Sequence, residues 1–287
     1  MNKNLTDPRY IKSVMSKHGA RLSKGLGQNF IVDPDVCPEI AHISGADKNT
    51  GVIEIGPGIG VLTAQLAKRC KKILAIEIDK TLLPVLGETL AEFDNISVLN
   101  ADVLKTDLSS LIAEHFADMD VIVCANLPYY ITSPIVMYLL ESKLPIRSIT
   151  VMVQKEAAQR ICAPMPSRAS GAITAAVRYH SNPSLLMDVP REAFLPPPNV
   201  DSAVIQLDIL TEPPIPVLDE TRFFKVVAAS FSQRRKTLVN TLASSLGRNK
   251  AEIAEILNTV NIPQTARAEE LSMEDFGRLA ERLLQLR

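Results

Sequence analysis

The segment EIGPGIGVLT, from Glu54 to Thr63, joins a short apolar run to a segment with helical spacing. The run VIEIG (52–56) is typical of a buried strand, and VLTAQLAKRC (61–70) places apolar residues three and four positions apart. The glycines between them, spaced G-x-G-x-G, permit a tight turn and let a ligand approach the backbone closely. This order of strand, glycine turn and helix predicts the first unit of an α/β sheet.

Strands and helices continue to alternate beyond this turn. Further apolar runs predict the strands ILAIEID (73–79), ISVLN (96–100), VIVCAN (121–126) and SITVMVQ (148–154). SLLMDV and SAVIQLDI, on either side of the proline-rich FLPPPNVD, predict a final pair of neighbouring strands. We therefore expect an α/β fold with a doubly wound, mostly parallel, Rossmann-like sheet, which binds ligands at the carboxyl ends of its strands.

A proline-rich segment, TEPPIPV (211–217), predicts a linker. Beyond it only helical spacing is found, in FFKVVAASF, KTLVNTLASSL, AEIAEIL and DFGRLAERLLQL. The sequence therefore predicts two domains, an α/β domain over residues 1–210 with a basic N-terminal arm and a small all-α domain over residues 218–287.

The basic residues are unevenly distributed. The formal net charge of the 287 residues is only −1, yet residues 1–30 carry six Lys or Arg against one acid, and residues 221–250 carry seven against none. This asymmetry favours a basic face for a polyanion. Two solvated helix faces would give the same pattern, so both interpretations stay open.

The positions of cysteine, histidine and apolar residues argue against several classes of protein and of binding site. The four cysteines are far apart without a C-x-x-C pair, and the four histidines form no cluster, which argues against a disulfide framework or a metal site. The N-terminus lacks the apolar core of a signal peptide, and no apolar run approaches the length needed to span a membrane. We expect a cytoplasmic protein that binds no metal and no membrane.

Two carboxylates follow successive predicted strands. Glu77 ends the second strand, 21 residues after Gly56, where it can accept hydrogen bonds from both hydroxyls of a ribose. Asp102 follows the third strand and could accept from an adenine amino group. The alternative is that they are helix caps, a role that suits Asp79 and Asp107 better. Three features at successive strand ends favour a nucleoside pocket.

The spacing of the glycines narrows the choice of ligand for this pocket. The dinucleotide fingerprint is G-x-G-x-x-G, whereas here the position after G-x-G-x-G is Val61, which weakens a pyrophosphate-binding interpretation. A ligand with a nucleoside but no phosphate fits better, and S-adenosylmethionine is such a ligand. A nicotinamide oxidoreductase is correspondingly disfavoured.

The fourth strand ends in NLPYY, residues 126–130. The exocyclic amine of a nucleobase is a poor nucleophile, and the Asn126 side-chain carbonyl with the Leu127 main-chain carbonyl could hold it in line with a methyl donor. Pro128 would stiffen this turn, and Tyr129 offers a ring on which a flipped-out base can stack. The alternative is a proline turn with a structural tyrosine. Tyr130 could be a core residue.

These segments together resemble one family. GQNFIVDP, EIGPGIGVLT, AIEID, NADVL, NLPYYIT, FLPPPNVDSAV and FSQRRKTLVNTL occur in the order seen in ribosomal RNA adenine N6,N6-dimethyltransferases. The resemblance runs from about residue 20 to the end of the chain. It is greatest to the bacterial small-subunit enzymes whose loss gives kasugamycin resistance.

The resemblance implies two successive methyl transfers from S-adenosylmethionine to each of two adjacent adenosines in a hairpin loop near the 3′ end of 16S rRNA. The substrate would be an assembling 30S subunit, which implies a role in late small-subunit biogenesis. The enzyme would be a monomer, with an S-adenosylmethionine-binding catalytic domain and a helical RNA-binding domain.

Site residues follow from the same resemblance. The residues expected to bind the cofactor are Asn29, Ile31, Gly56, Gly58, Glu77, Asp102 and Asn126. The residues expected to handle the target amine and base are Asn126, Leu127, Tyr129 and Phe194, although Phe194 could instead anchor the proline-rich loop. The residues expected to bind RNA are Arg234, Arg235 and Lys236, which could also be partly structural.

Two rival functions remain open. The related large-subunit rRNA methyltransferases that confer macrolide resistance use the same kind of catalysis. At the position of Asn-Leu-Pro-Tyr (126–129), however, their motif more often reads Asn-Ile-Pro-Tyr. Some proteins with methyltransferase folds act as RNA-binding assembly or transcription factors without catalysis, but here the motif asparagine and both carboxylates are present.

Overall fold

A computed structural model describes residues 4–21 and 27–284 of the chain. The strands in this part are β1 (Phe30–Ile31), β2 (Thr50–Ile55), β3 (Lys72–Glu77), β4 (Ile96–Asn100), β5 (Asp120–Asn126), β6 (Ser148–Gln154), β7 (Ser181–Val189), β8 (Phe194–Leu195) and β9 (Ser202–Ile209). The α-helices are α1 (Pro8–Lys17), α2 (Val36–Ile43), α3 (Val61–Ala67), α4 (Leu83–Thr89), α5 (Leu108–His115), α6 (Thr132–Glu141), α7 (Lys155–Ile161), α8 (Ala172–His180), α9 (Glu220–Phe231), α10 (Leu238–Leu246), α11 (Lys250–Thr259) and α12 (Met273–Leu284).

Seven strands form one mixed sheet in the order β4-β3-β2-β5-β6-β9-β7. The pairs β4-β3, β3-β2, β2-β5 and β5-β6 are parallel, whereas β9 runs antiparallel to β6. The strand order reverses at β2, where the chain moves out to β4 and returns to β5. The predicted Rossmann-like, mostly parallel sheet is confirmed, and a ligand is expected at this reversal.

The central strands are buried along almost their whole length. Every residue of β2 is buried, and so are all but the end residues of β5 and the last residue of β6. A strand covered by helices on both faces carries apolar side chains on both sides, which explains the continuous apolar runs in the sequence.

A second, two-stranded sheet pairs β1 with β8 antiparallel. The sequence pattern did not predict it because strands of two residues are too short to show an alternation of apolar and polar side chains. It joins the N-terminal segment to the proline-rich loop. In its register Phe30 lies opposite Leu195 and Ile31 opposite Phe194.

The turn between β2 and α3 depends on its glycines. Gly56, Gly58 and Gly60 have φ angles of +69°, +61° and +92°, a left-handed region that is unfavourable for residues with a Cβ. A Cβ on Gly60 would also lie 2.8 Å from Leu90 Cδ2, so the Leu90 side chain would have to shift.

The described residues divide into two compact units. One comprises Met1–Ala158 with Ser184–Ile209, and the other Gln159–Pro183 with Leu210–Arg287. The sequence-based boundary at residue 210 therefore missed residues 159–183, which cluster with the C-terminal helices. Their Tyr179 ring lies 5.2 Å from the Phe223 ring inside the helical core, a contact that no local pattern reveals.

No helix in the described residues is long and apolar enough to cross a membrane.

The glycine turn yields a test of the fold. Replacing Gly60 with Ala should lower the free energy of unfolding by about 2–4 kcal/mol, because the left-handed backbone and the overlap with Leu90 both become unfavourable. The matched change Gly87→Ala lies within helix α4, where an added Cβ meets nothing within 4 Å, and should raise stability by about 0.5–1 kcal/mol. Urea unfolding measures both, and equal effects would contradict the assigned backbone.

Candidate active site

The carboxyl ends of the parallel strands form one cleft in the α/β unit. In the sheet register Ile55 pairs with both Ile76 and Ala125, so the residues that follow these positions meet at one edge. All ten residues that the sequence assigned to cofactor binding or catalysis line this cleft: Asn29, Ile31, Gly56, Gly58, Glu77, Asp102, Asn126, Leu127, Tyr129 and Phe194.

Glu77 is held rigidly at the end of β3. Its carboxylate accepts hydrogen bonds from the backbone N–H of Gly58 at 3.3 Å and of Asp79 at 2.8 Å. Burial raises the pKa of this carboxyl, although the two N–H donors oppose the shift. Each carboxylate oxygen has two lone pairs, so acceptor capacity remains for the hydroxyls of a ribose.

Asp102 has a structural role besides its place in the cleft. Its carboxylate accepts from the Leu104 N–H at 3.1 Å and lies 3.4 Å from the Lys105 ammonium. Capping was expected for Asp79 and Asp107, which do cap the helical turns after them. The cap at Asp102 shows that capping and lining the cleft are compatible at one residue.

Glu54 also lines the cleft, and no motif in the sequence predicted this position. It lies within β2, is 1% exposed, and has one carboxylate oxygen without a hydrogen-bond partner among the described residues. Burial raises the pKa of its carboxyl to about 8, and the nearby negative charge of Glu77 adds to this. An acid inside an otherwise apolar strand was the available signal.

The N-terminal segment contributes one wall of the cleft. The Gln28 side-chain amide donates to the Asp79 carboxylate at 3.0 Å, which links this segment to the end of β3. Asn29 donates to the Gly27 carbonyl at 3.3 Å, and Ile31 is buried beside it in β1. Residues 22–26 lie outside the described part of the chain.

Asn126 ends β5, half-buried. Its side-chain amide makes no hydrogen bond with any residue that the structure describes, so it remains available to a ligand. The next residue is fixed more firmly, because the Leu127 N–H donates to the Met152 carbonyl at 3.2 Å and its side chain is buried.

Tyr129 is fixed by a bond to β9. Its hydroxyl lies 2.7 Å from the Ser202 hydroxyl, and burial raises the pKa of the phenol. Tyr130 is 60% exposed at the rim, so its expected place in the core was wrong. Phe194 lies in β8 and is only 3% exposed, which agrees with an anchoring role while it also lines the cleft.

The charged groups that line the cleft limit the kinds of ligand that it can bind. Three carboxyl groups line it, those of Glu54, Glu77 and Asp102, and no Lys, Arg or His is among the described lining residues. The Glu54 carboxyl keeps its proton up to about pH 8 and adds no charge, but the carboxylates of Glu77 and Asp102 would repel a pyrophosphate and attract a nucleoside that carries positive charge. The residues present therefore fit S-adenosylmethionine, whose sulfur and amino groups are cationic.

The described residues contain no group of three or more His, Cys, Asp or Glu side chains that could hold a metal ion.

The basic cluster Arg234, Arg235 and Lys236 lies in the helical unit, between α9 and α10. All three side chains are exposed. The Arg234 guanidinium donates to the main-chain carbonyl of Arg168 at 2.7 Å, so part of this cluster has a structural contact.

Comparison with known proteins matches residues 19–285 to the family described as "Ribosomal RNA adenine dimethylase". The chain belongs to this family. It is 47% identical over 290 residues to "Ribosomal RNA small subunit methyltransferase A" of Bacillus licheniformis, a match that covers 100% of this chain and 99% of that protein.

Solved structures agree with this family assignment. The "23S rRNA methyltransferase ErmE" superposes with a TM-score of 0.66 at 27% identity, over 90% of this chain and 100% of that one. A "dimethyladenosine transferase from Plasmodium falciparum" superposes with a TM-score of 0.71 at 23% identity, over 89% and 98% respectively, which supports the fold. The chain is thus a ribosomal RNA adenine dimethyltransferase with the Rossmann-like methyltransferase fold.

The buried carboxyl of Glu54 predicts an unusual dependence of stability on pH. The folded state keeps its proton up to about pH 8, whereas the unfolded chain releases it near the ordinary value of 4.5. Stability should therefore fall as pH rises between these values, by an amount on the order of 5 kcal/mol. Glu54→Gln should remove most of this slope in urea unfolding and leave the smaller part that comes from the raised pKa of Glu77, whereas the exposed control Glu92→Gln should retain the full slope. A wild-type slope in Glu54→Gln would show that the carboxyl is ionised when folded.

Proposed function

We propose that this protein transfers two methyl groups from S-adenosylmethionine to N6 of each of two adjacent adenosines in the 3′-terminal hairpin loop of 16S rRNA. The proposed substrate is the assembling 30S subunit, in the cytoplasm, with a role in late subunit biogenesis. The enzyme acts as a monomer, and its helical unit contributes to RNA binding.

One observation carries this proposal most directly. The Asn126 amide, which has no partner among the described residues, lies in the same cleft as the buried carboxylate of Glu77, and the Tyr129 ring is fixed beside it. A half-buried amide that bonds to no described residue can bond to water or to a ligand, so a bound base can use it without breaking a protein contact. A nucleobase amine supplies the donor that this amide oxygen lacks.

The residues present account for the binding of the donor. When bound, S-adenosylmethionine supplies an electrophilic methyl carbon on a positively charged sulfur. The Glu77 carboxylate would accept from its ribose hydroxyls, and Asp102 from its adenine amino group. Gly56 leaves open space above the backbone, because an added Cβ there would meet nothing within 4 Å.

The end of β5 would position the acceptor. In the first transfer the Asn126 side-chain oxygen and the Leu127 carbonyl would accept hydrogen bonds from the two N–H groups of the target amine and favour its pyramidal form. In the second transfer the methylated amine has one N–H left for these acceptors. After each transfer the proton lost from the nitrogen passes to water. Tyr129 stacks on the extruded base, and the bond from its hydroxyl to Ser202 keeps the ring in place. Phe194 could cover the other face of the base. Positioning of this kind supplies much of the rate acceleration without a strong general base.

The rival substrate is large-subunit rRNA, since one superposable structure is a 23S rRNA methyltransferase. The relative of 47% identity is named for the small subunit, and this favours 16S rRNA. The deciding experiment incubates the protein and labelled cofactor with immature 30S subunits and with 50S subunits, both from a strain lacking the modification, and maps the methylated adenosines. We expect four methyl groups on two adjacent adenosines of 16S rRNA. Label confined to 23S rRNA would contradict the proposal.

The role of Asn126 can be separated from cofactor binding. Asn126→Ala should lower the rate of methyl transfer by about 10²–10³-fold, since it removes an acceptor for the reacting amine, whereas the other expected cofactor residues, Glu77 and Asp102 among them, are unchanged. Calorimetric affinity for S-adenosylhomocysteine should stay within about 2-fold of wild type. Tyr130→Ala, at the exposed rim, is the control and should retain most activity. A near-normal rate in Asn126→Ala would remove this residue from the mechanism.

The basic cluster gives a prediction about RNA affinity. Changing Arg234, Arg235 and Lys236 together to Gln should weaken binding to immature 30S subunits. The log–log dependence of affinity on salt should flatten by roughly 0.7–0.9 for each phosphate that the variant no longer neutralises. Filter binding at several salt concentrations measures both effects.

The control for this cluster removes the same charge elsewhere in the helical unit. Its exposed targets, each changed to Gln, are Arg222, Arg267 and Arg278. This triple variant should keep the wild-type salt slope. Equal slopes for the two variants would show that the cluster is structural or only contributes general charge.

A further inference from the structure

The two-stranded sheet β1–β8 separates the cleft from a second depression, which we call the α1 groove. Its apolar floor is formed by Ile11, Met15, Phe30, Leu195 and Pro196. Paired residues of an antiparallel ribbon project to the same side. The pair Ile31 and Phe194 lines the cleft, whereas its neighbour, Phe30 with Leu195, lines the α1 groove.

Phe30 is shared by both depressions. It is 6% exposed and lines the cleft as well as the α1 groove. A Cβ on Gly58 would lie 3.3 Å from the Phe30 ring, so one edge of the ring rests against the glycine turn. The wall between the two depressions is therefore only a single side chain thick at this point.

The rim of the α1 groove is cationic. Lys12 and Arg21 line it with exposed side chains, and none of the described lining residues is acidic. This contrasts with the cleft, which is lined by carboxyl groups and by no described cation. An apolar floor with a cationic rim suits a ligand that has a flat base and a phosphate.

We propose that the α1 groove binds the nucleotide adjacent to the target adenosine in the single-stranded rRNA loop. The inference rests on the proposed function, in which two neighbouring adenosines are modified in turn. While one base occupies the cleft beside Phe194, the next is displaced by one nucleotide, toward the neighbouring Leu195 on the other side of the ribbon. Its base packs on Met15, Leu195 and Pro196, and Lys12 and Arg21 contact the flanking phosphates.

A cross-linking experiment tests the position. Photoreactive p-benzoylphenylalanine replaces Ser16, which lines the α1 groove, and in a matched variant replaces Ser13, an exposed residue on the same helix outside it. A third variant carries the probe at Tyr130, on the rim of the cleft, to report complex formation. Each is irradiated with immature 30S subunits and S-adenosylhomocysteine, and the linked nucleotides are mapped by primer extension.

We expect Ser16 to cross-link within one or two nucleotides of the two adenosines, and Ser13 to give at least 5-fold less product there. The inference is overturned if the Tyr130 probe links to this loop while the Ser16 probe links elsewhere, to protein, or to nothing. It is also overturned if Ser13 links as efficiently as Ser16.

Charge provides a second, independent readout. Lys12→Gln with Arg21→Gln should lower kcat/KM on immature 30S subunits by about 10-fold, mostly through KM, and flatten the salt slope by roughly 0.7 for each phosphate left without its cation. The control Arg9→Gln with Lys17→Gln removes the same charge from α1 outside the α1 groove and should change kcat/KM less than 2-fold. Equal decreases in the two double variants would contradict a localised nucleotide site.

Failure of this inference differs from failure of the proposed function. If the wild-type protein does not methylate 16S rRNA, the proposed function is wrong. If the protein does methylate 16S rRNA, but the cross-linking and the charge variants both give the contradicting result, only the assignment of the α1 groove is wrong.

Discussion

The parallel pairing of β2 with β3 and β5 is the constraint on which the site depends. This register places the residues after Ile55, Ile76 and Ala125 at one edge of the sheet, so a glycine turn, a carboxylate and an amide from distant parts of the sequence converge there. These strands are buried over nearly all of their residues, and this burial fixes the register, because a slip of one residue would reverse every side chain. The chemistry of the cleft is thus a consequence of strand alignment.

The cleft and the α1 groove of the α/β unit differ in the charge of the residues that line them. The cleft is lined by carboxyl groups, two of which are buried. A cationic nucleoside would be costly to bury among apolar groups alone, and these carboxyl groups could accept hydrogen bonds from it. At the end of β5 the polar group is a neutral amide, whose oxygen can accept a hydrogen bond from an uncharged amine without any change of protonation. The α1 groove reverses the pattern with its cationic rim, as a polyanion requires.

Much of this arrangement was predictable from the sequence, because long apolar runs and strand-end motifs are local signals. β4 and β6 have the predicted bounds, and the segments assigned to cofactor and target converge as expected. The tertiary features were not predictable in this way. The β1–β8 pair joins segments more than 160 residues apart, and the association of residues 159–183 with the helical unit depends on the burial of Tyr179. The exposure of Tyr130 depends on a local turn that composition does not determine, whereas the cap at Asp102 was one of the two alternatives that the sequence left open.

The distance between two atoms decides whether the proposed mechanism is correct. A structure of the protein with S-adenosylhomocysteine and the rRNA hairpin within its subunit measures the separation between the Asn126 side-chain oxygen and N6 of the extruded adenine. We predict a hydrogen bond of about 2.7–3.2 Å, with the Leu127 carbonyl at a similar distance and the Tyr129 ring stacked on the base. An amine held instead by other groups, with the Asn126 oxygen beyond about 5 Å, would contradict this mechanism.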